Sequence, residues 1–258
     1  MTDDIAKIRN IMATTKTCVV MPTYNNAKTI VGMICRVKIF SPYVIVVNDG
    51  STDETGNLLS TFRTEVIIIS YEKNKGKGYA LKQGLIKAKE KGFENAITID
   101  TDGQHQPEEI PRFVEAMLNN RECIIMGSRN IEADGMSMGS IFANHFSNFW
   151  FFVQTSIRLP DTQTGYRLYP LEKLRGLTVL THRYEAELEL LVLAAWHGVR
   201  IVPISVSVYY PPTDERISHF RPIRDFMRIF VLNTFLCVGA LVYGMPLRLH
   251  RYLKTMIS

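Results

Sequence analysis

Short apolar runs alternate with longer polar, glycine-containing segments through the first half of the chain. Thr17 to Met21, Tyr43 to Val47, Glu65 to Ser70, Ala96 to Asp100 and Cys123 to Met126 have the length and apolar continuity of buried strands. Between them, Ala27 to Phe40, Thr52 to Phe62, Gly78 to Lys91 and Glu108 to Asn119 are of helical length, and in the third Leu81, Leu85 and Ala88 recur at helical steps. This alternation predicts βαβ units, and therefore an α/β fold with a mostly parallel sheet and helices on both faces. Ligands of such sheets bind beyond the carboxyl ends of the strands. The residues that follow each apolar run are the ones to inspect.

The second half is patterned differently. An apolar, aromatic helix is expected around Phe142 to Val153, and another over Tyr184 to His197, where Leu188, Leu191, Val192 and Ala195 keep helical spacing. A strand within Val199 to Tyr209 precedes the break at Pro211-Pro212. Ile229 to Leu247 then runs 19 residues without a charge and is closed by Arg248, His250, Arg251 and Lys254. As a helix that run would span roughly 28 Å, near the thickness of a bilayer core. Asn233, Gly239, Gly244 and Pro246 interrupt it, so crossing, in-plane embedding and burial in a soluble or oligomeric core are all compatible with the pattern. The expected division is a lead (1–16), an α/β body (17–212) and a basic, apolar segment expected to associate with a membrane (213–258).

Composition narrows the class. Apolar and charged fractions of 46% and 21% are those of a globular protein. The net charge of +5 is concentrated at the end, where residues 213–258 carry seven Lys/Arg against three Asp/Glu. A basic tail behind a near-neutral body suits an anionic lipid or phosphate surface, and no motif for nucleic acid accompanies it. Cys18, Cys35, Cys123 and Cys237 are widely spaced, without a CxxC pair, as in a reducing compartment. Residues 1–16 carry early acidic residues and no long apolar core, unlike a signal peptide. The expected location is the cytoplasmic face of a membrane.

The strand ends supply the chemistry. Ala96 to Asp100 runs into Asp100-Thr101-Asp102-Gly103-Gln104, two carboxylates and an amide oxygen close together. These are hard-cation ligands suited to Mg²⁺ or Mn²⁺. The same residues also read as an ordinary turn leading into a helix. The first strand ends in Pro22-Thr23-Tyr24, where the proline would stop the ladder and the ring could stack on a base or sugar. The second ends in Asn48-Asp49, whose carboxylate could accept hydrogen bonds from a nucleoside. Asn74-Lys75-Gly76-Lys77-Gly78 combines glycines, a helix N-terminus and two cations, a combination that suits a diphosphate but lacks the ending of a Walker A loop.

Six ordered motifs carry a family resemblance: Pro22-Thr23-Tyr24-Asn25, Val46 to Asp53, Asn74-x-Gly76-x-Gly78-x-Ala80, Asp100-x-Asp102-x-Gln104-His105-x-Pro107, Gly127-Ser128-Arg129 and Thr164-Gly165-Tyr166-Arg167. Over about residues 17 to 220 the chain resembles an inverting family 2 glycosyltransferase of GT-A fold, on the branch of dolichol-phosphate mannosyltransferases and polyprenyl-phosphate glycosyltransferases. Asn48 departs from the Asp-Asp pair frequent in that family, whereas Asp49 is kept. The resemblance implies that Pro22, Tyr24 and Asp49 hold the nucleoside of a nucleotide-diphosphate sugar, that Lys77 and Gly78 flank its diphosphate, and that Asp100, Asp102 and Gln104 hold the metal. It places Arg129, Thr164, Gly165 and Arg167 on the side of a polyprenyl phosphate or other lipid acceptor. A looser similarity adds Arg216 to the donor site, with Ser218 and Arg221 toward the acceptor. Arg167 has the alternative of pairing with Asp161.

Glu185, Glu187 and Glu189 suit a helix N-terminus electrostatically. Glu187 is a reserve general base, needed for a hydroxyl acceptor but not for an ionised phosphate. His105 and His197 read as structural. The rival readings are a family 2 enzyme acting on a glycan hydroxyl or another lipid headgroup, and a membrane-bound nucleotide-sugar sensor without turnover. A sugar-phosphate nucleotidyltransferase would carry a basic glycine signature directly after the first strand, and Met21-Pro22-Thr23-Tyr24 does not.

Overall fold

The computed structural model describes residues 2–130, 136, 138–210 and 222–257. Strands β1 (Thr17–Thr23), β2 (Val44–Asn48), β3 (Ile67–Ser70), β4 (Asn95–Thr98), β5 (Ile124–Ser128), β6 (Arg167–Pro170) and β7 (Ile201–Ser205) form one sheet in the order β3-β2-β1-β4-β6-β5-β7. Helices α1 (Thr2–Thr14), α2 (Ile30–Phe40), α3 (Thr55–Ser60), α4 (Lys77–Glu90), α5 (Ile110–Asn119), α6 (Met138–Thr155) and α7 (Glu185–Trp196) surround it, and α8 (Pro222–Gly239) and α9 (Met245–Ile257) follow, joined by a π-turn over Ala240–Gly244.

The expected parallel α/β sheet is present, with one addition that apolar patterning does not reveal. Strand β6 inserts antiparallel between β4 and β5, pairing Ile97 with Leu168 and Ile125 with Leu168. Its four residues are all buried, yet they include Arg167, which breaks the apolar run that marks the other strands. Pro22 does not stop β1, which continues to Thr23 beside β2. Pairing with β4 ends earlier, at Val20, so on that side the missing proline N–H falls beyond the paired stretch.

One core lies between the sheet and α1, α2 and α5, and contains Ile8 and Met12. Residues 1–16, expected only as a lead, thus contribute a helix to the main core. A second core packs Cys18, Val20, Ala80 and Ala194 on the opposite face. A third joins α6, α7, α8 and the turn after α8 through Phe151, Leu191, Trp196, Leu232, Leu236 and Ala240.

That third core decides how the apolar C-terminal run sits on the domain. Gln154 Nε2 donates to Asn233 Oδ1 at 2.9 Å and Trp196 Nε1 donates to Gln154 O at 2.9 Å. Asn233, a weak point in a spanning segment, is buried with a partner. The other side of the run is open to solvent, with Phe235 72%, Leu241 65%, Val242 74% and Leu249 60% exposed. Met227–Arg251 is long and apolar enough to cross a membrane, and 28% of its most apolar stretch is buried against the domain.

Candidate active site

The carboxyl ends of β1, β2 and β4, the loop after β5 and the N-termini of α4 and α7 open into one cavity of about 1410 Å³. Pro22, Tyr24, Asp49, Lys77, Asp100, Asp102, Gln104 and Arg129 all line it. Six separate sequence segments therefore meet in one place.

Asp100 and Asp102 are fixed through the residue between them. Thr101 Oγ1 donates to Pro22 O at 3.1 Å and accepts from Asn26 Nδ2 at 2.8 Å, while its carbonyl accepts from Thr29 Oγ1 at 2.6 Å. The acidic loop is thereby tied to the end of β1. His105 supports it from behind: the Asp100 N–H donates to Nδ1 at 3.1 Å, and the ring stacks on Tyr166 with centroids 5.0 Å apart. Burial lowers the His105 pKa to about 4, so the imidazole is neutral and Nδ1 accepts. Its expected structural role is the one the geometry gives it.

The two carboxylates differ in their partners. Lys77 Nζ lies 2.7 Å from Asp100 Oδ1 and 2.9 Å from Oδ2. Burial is the strongest single influence and would raise the Asp100 pKa, but the charge and hydrogen bond of Lys77, together with the other basic groups around it, hold the carboxyl below its usual range. Asp102 accepts the Gln104 N–H at 3.0 Å. Burial first, then repulsion from Asp100, pushes Asp102 up to about 6. A cation beside Asp102 would relieve that repulsion, and two carboxylates with the Gln104 amide are oxygen donors of the right hardness. Among the described residues no group of three or more His, Cys, Asp or Glu forms a metal cage. This donor set would be completed by ligand or water oxygens.

Asp49 is buried and accepts the N–H groups of Lys75 and Gly76, both at 2.8 Å. It clamps the glycine loop through both carboxylate oxygens. Gly76 has φ +103°, and a Cβ there would lie 2.6 Å from His182 O. Gly78 has a packing role. A Cβ at 78 would meet Ala186 Cβ at 2.2 Å, so this glycine lets α4 approach α7. Burial raises the Asp49 pKa, against the loop N–H groups and the neighbouring Arg183, which also lines the cavity. Arg183 had no motif to mark it; its only sequence signal is a cation just ahead of three helix-starting glutamates.

Arg129 Nε and Nη2 grip Asp161 at 2.6 and 2.9 Å, and the Arg129 N–H adds a 3.2 Å bond. Asn144 Nδ2 donates to the same carboxylate at 2.6 Å. Asp161 is fully buried, and despite that burial the Arg129 bonds keep its pKa low. Asp161 is thus the partner of Arg129, not of Arg167. Arg167 is also fully buried, and donates through Nη1 to Glu187 O at 2.8 Å and through Nη2 to Thr162 O at 2.9 Å. It braces β6 against α7, and this burial removes it from the acceptor side where the motif pointed. Thr164 and Gly165 lie under the site as well: Thr164 Oγ1 accepts the Tyr166 N–H at 3.2 Å, and Gly165 O accepts from Thr98 Oγ1 at 2.8 Å. Thr162 and Gln163 of the same segment line the cavity in their place. Arg216, Ser218 and Arg221 lie outside the described residues.

Gly165 has a steric role of its own. A Cβ there would come within 2.6 Å of Asp100 Oδ2 and 2.8 Å of Lys77 Nζ. Gly165→Ala is expected to part these two groups and lower the thermal midpoint by several degrees, a magnitude that overpacking typically brings. An unchanged midpoint in a calorimetric scan would rule out that crowding.

The chain is 28% identical over 212 residues to the UDP-N-acetylglucosamine–dolichyl-phosphate N-acetylglucosaminyltransferase of Methanococcus voltae, covering 74% of this chain and 84% of the relative. It is 27% identical over 199 residues to the undecaprenyl-phosphate mannosyltransferase of Micrococcus luteus, covering 73% and 81%. Its fold is similar to that of glucosyl-3-phosphoglycerate synthase from Mycobacterium tuberculosis, solved with Mn²⁺, uridine diphosphate and phosphoglyceric acid, with TM-score 0.62, 19% identity and coverage of 93% and 82%. The family model for glycosyl transferase family 2 matches residues 18–172, the span that holds Tyr24, Asp49, the glycine loop, the acidic pair and Arg129. This chain belongs to glycosyl transferase family 2 and is a glycosyltransferase.

Proposed function

We propose that the enzyme transfers a hexose or related sugar from a nucleoside-diphosphate donor to a polyprenyl phosphate, with inversion at the anomeric carbon, on the cytoplasmic face of a membrane. The observation that carries this reading is the mixed lining of the cavity. It holds the acidic pair, Lys77 and Asp49 together with Met136, Phe142 of α6, and Met227 and Ile229 of α8. Phe142 and Met227 are 65% and 53% exposed. A charged headgroup on an apolar chain suits such a lining.

Pro22, Tyr24 and Asp49 would hold the nucleoside, with Lys77 and Arg183 near its diphosphate. Asp100, Asp102 and Gln104 fit Mg²⁺ or Mn²⁺, which when bound would stabilise the negative charge of the departing diphosphate. Arg129, oriented by Asp161, lines the cavity and would bind the acceptor phosphate through its planar fork. A phosphate monoester is largely ionised near neutral pH and needs no general base to attack. Attack from the face opposite the leaving diphosphate would invert the anomeric centre. The basic C-terminal end, with Arg248, Arg251 and Lys254, would meet anionic headgroups while the apolar side of α8 and α9 lies in the membrane surface.

The test is incubation of purified enzyme with radiolabelled UDP- and GDP-sugars, polyprenyl phosphate and Mn²⁺. The expected result is label in an organic-extractable product labile to mild acid, and its absence with every donor would sink the proposal. Loss of Glu187 is not a clean probe for a hydroxyl acceptor. Glu187 lies 3.3 Å from Lys77 Nζ, so its removal disturbs the donor side whichever acceptor is used.

A further inference from the structure

Lys77 stands between two carboxylates on different elements. Its ammonium contacts both oxygens of Asp100, at 2.7 and 2.9 Å, and both oxygens of Glu187, at 3.3 and 3.4 Å. Lys77 is the first residue of α4, Asp100 follows β4 and Glu187 lies in the first turn of α7. Their meeting is a product of the fold. Gly165 leaves the space that the Lys77–Asp100 pair fills, and the close approach at Gly78 brings α7 near enough for Glu187 to share the ammonium.

We propose that Lys77 and a divalent cation compete for Asp100, and that Glu187 is the positioning residue that receives the ammonium when the cation arrives. The proposal rests on the reading of Asp100 and Asp102 as cation ligands. With both Asp100 oxygens against one ammonium, a second cation at this carboxylate must displace the first or share it against strong like-charge repulsion. Lysine can yield because its charge rides on a flexible four-carbon stem with donors that reorient freely. Glu187 is already in reach and largely buried at 6% exposure, so a short swing moves the ammonium to a carboxylate outside the acidic pair. Among the described residues no ammonium contacts Asp102, which is left to the incoming cation. Binding of the cation and release of Lys77 from Asp100 are then linked, and the released ammonium turns from Asp100 toward the cavity it lines, where the donor diphosphate is proposed to lie. Glu187 thereby gains a function other than that of a base.

The measurement is Mn²⁺ affinity of the full chain without nucleotide, read from the electron paramagnetic resonance of free Mn²⁺. Lys77→Met is expected to bind Mn²⁺ about five- to tenfold tighter than wild type and Glu187→Gln about as much weaker, a range usual for coupled sites. In the Lys77→Met background, Glu187→Gln should have no effect, since nothing remains for it to position. Glu185→Gln, which removes a neighbouring carboxylate that has no bond to Lys77, serves as the control for charge alone. Unchanged or weaker binding by Lys77→Met overturns the competition. Should Lys77→Met fail to fold in a thermal scan, Glu187→Gln against Glu185→Gln decides: greater weakening in the former supports the proposal, equal weakening overturns it. A Glu187→Gln effect that persists without Lys77 overturns the positioning role. If no protein binds Mn²⁺ even with UDP or GDP present, the cation reading itself fails and the proposal falls with it.

Discussion

Asp102→Asn is expected to lower sugar transfer at least about a thousandfold, or about 4 kcal/mol of transition-state stabilisation, while the protein stays folded. The amide keeps the shape and can still accept the Gln104 N–H, so the loop is retained. What disappears is one of the two charges proposed to bind the cation. The effect on stability has the opposite sign. Burial and Asp100 raise the folded pKa of Asp102 above its unfolded value. An acid shifted that way disfavours the folded state once the pH exceeds the unfolded value, and the cost is fully present above about 6. Asn removes this cost, so at neutral pH the melting temperature should hold or rise. Turnover near that of wild type would refute the cation assignment, and a lower melting temperature would refute the account of the repulsion.

Asp161→Ala is expected to be the most destabilising single change at the site, by roughly 3–5 kcal/mol, the usual cost of stranding one partner of a buried ion pair. Asp161 is fully buried and receives three hydrogen bonds from Arg129, one from Asn144 and one from the Gln163 N–H. Without it Arg129 keeps its charge in a largely enclosed position, and the loop from 161 to 163 loses its anchor. At two to four degrees per kcal/mol for a chain of this size, the melting temperature should fall by roughly 6–20 °C. Activity of the folded fraction at low temperature should fall too, through a raised KM for the lipid phosphate, because Arg129 is no longer oriented. A drop of less than about 2 °C would show that the pair is not the anchor described here. An unchanged KM would separate Arg129 from the acceptor.

Much of the site was legible because its determinants are local. A strand running into Asp-x-Asp needs only neighbouring residues to put two carboxylates on one loop, and Pro22-Thr23-Tyr24 and Asn48-Asp49 mark strand ends by the same logic. Arg167 shows where that logic stops. A charged residue in a motif reads as a ligand contact, and only the path of β6 shows it enclosed, with the Glu187 and Thr162 carbonyls as its partners. Gly78 is similar: a glycine beside a lysine suggests a phosphate loop, but contact with Ala186 depends on an element more than a hundred residues away. Arg183, and the contact of Glu187 with Lys77, were hidden for the same reason, since the approach of α7 to α4 is a tertiary event.

The sequence by itself determined the periodic alternation of strand and helix, and with it the parallel sheet, its binding edge and the acidic loop that the family shares. These follow from side-chain hydrophobicity and short-range backbone geometry. The tertiary structure alone decided which charges face each other. It paired Arg129 with Asp161, set Lys77 between Asp100 and Glu187, enclosed Arg167, and laid one side of the C-terminal apolar run on α6 and α7 while leaving the other open. Coulombic and desolvation energies depend on distance and burial, and neither quantity exists until segments remote along the chain are brought together.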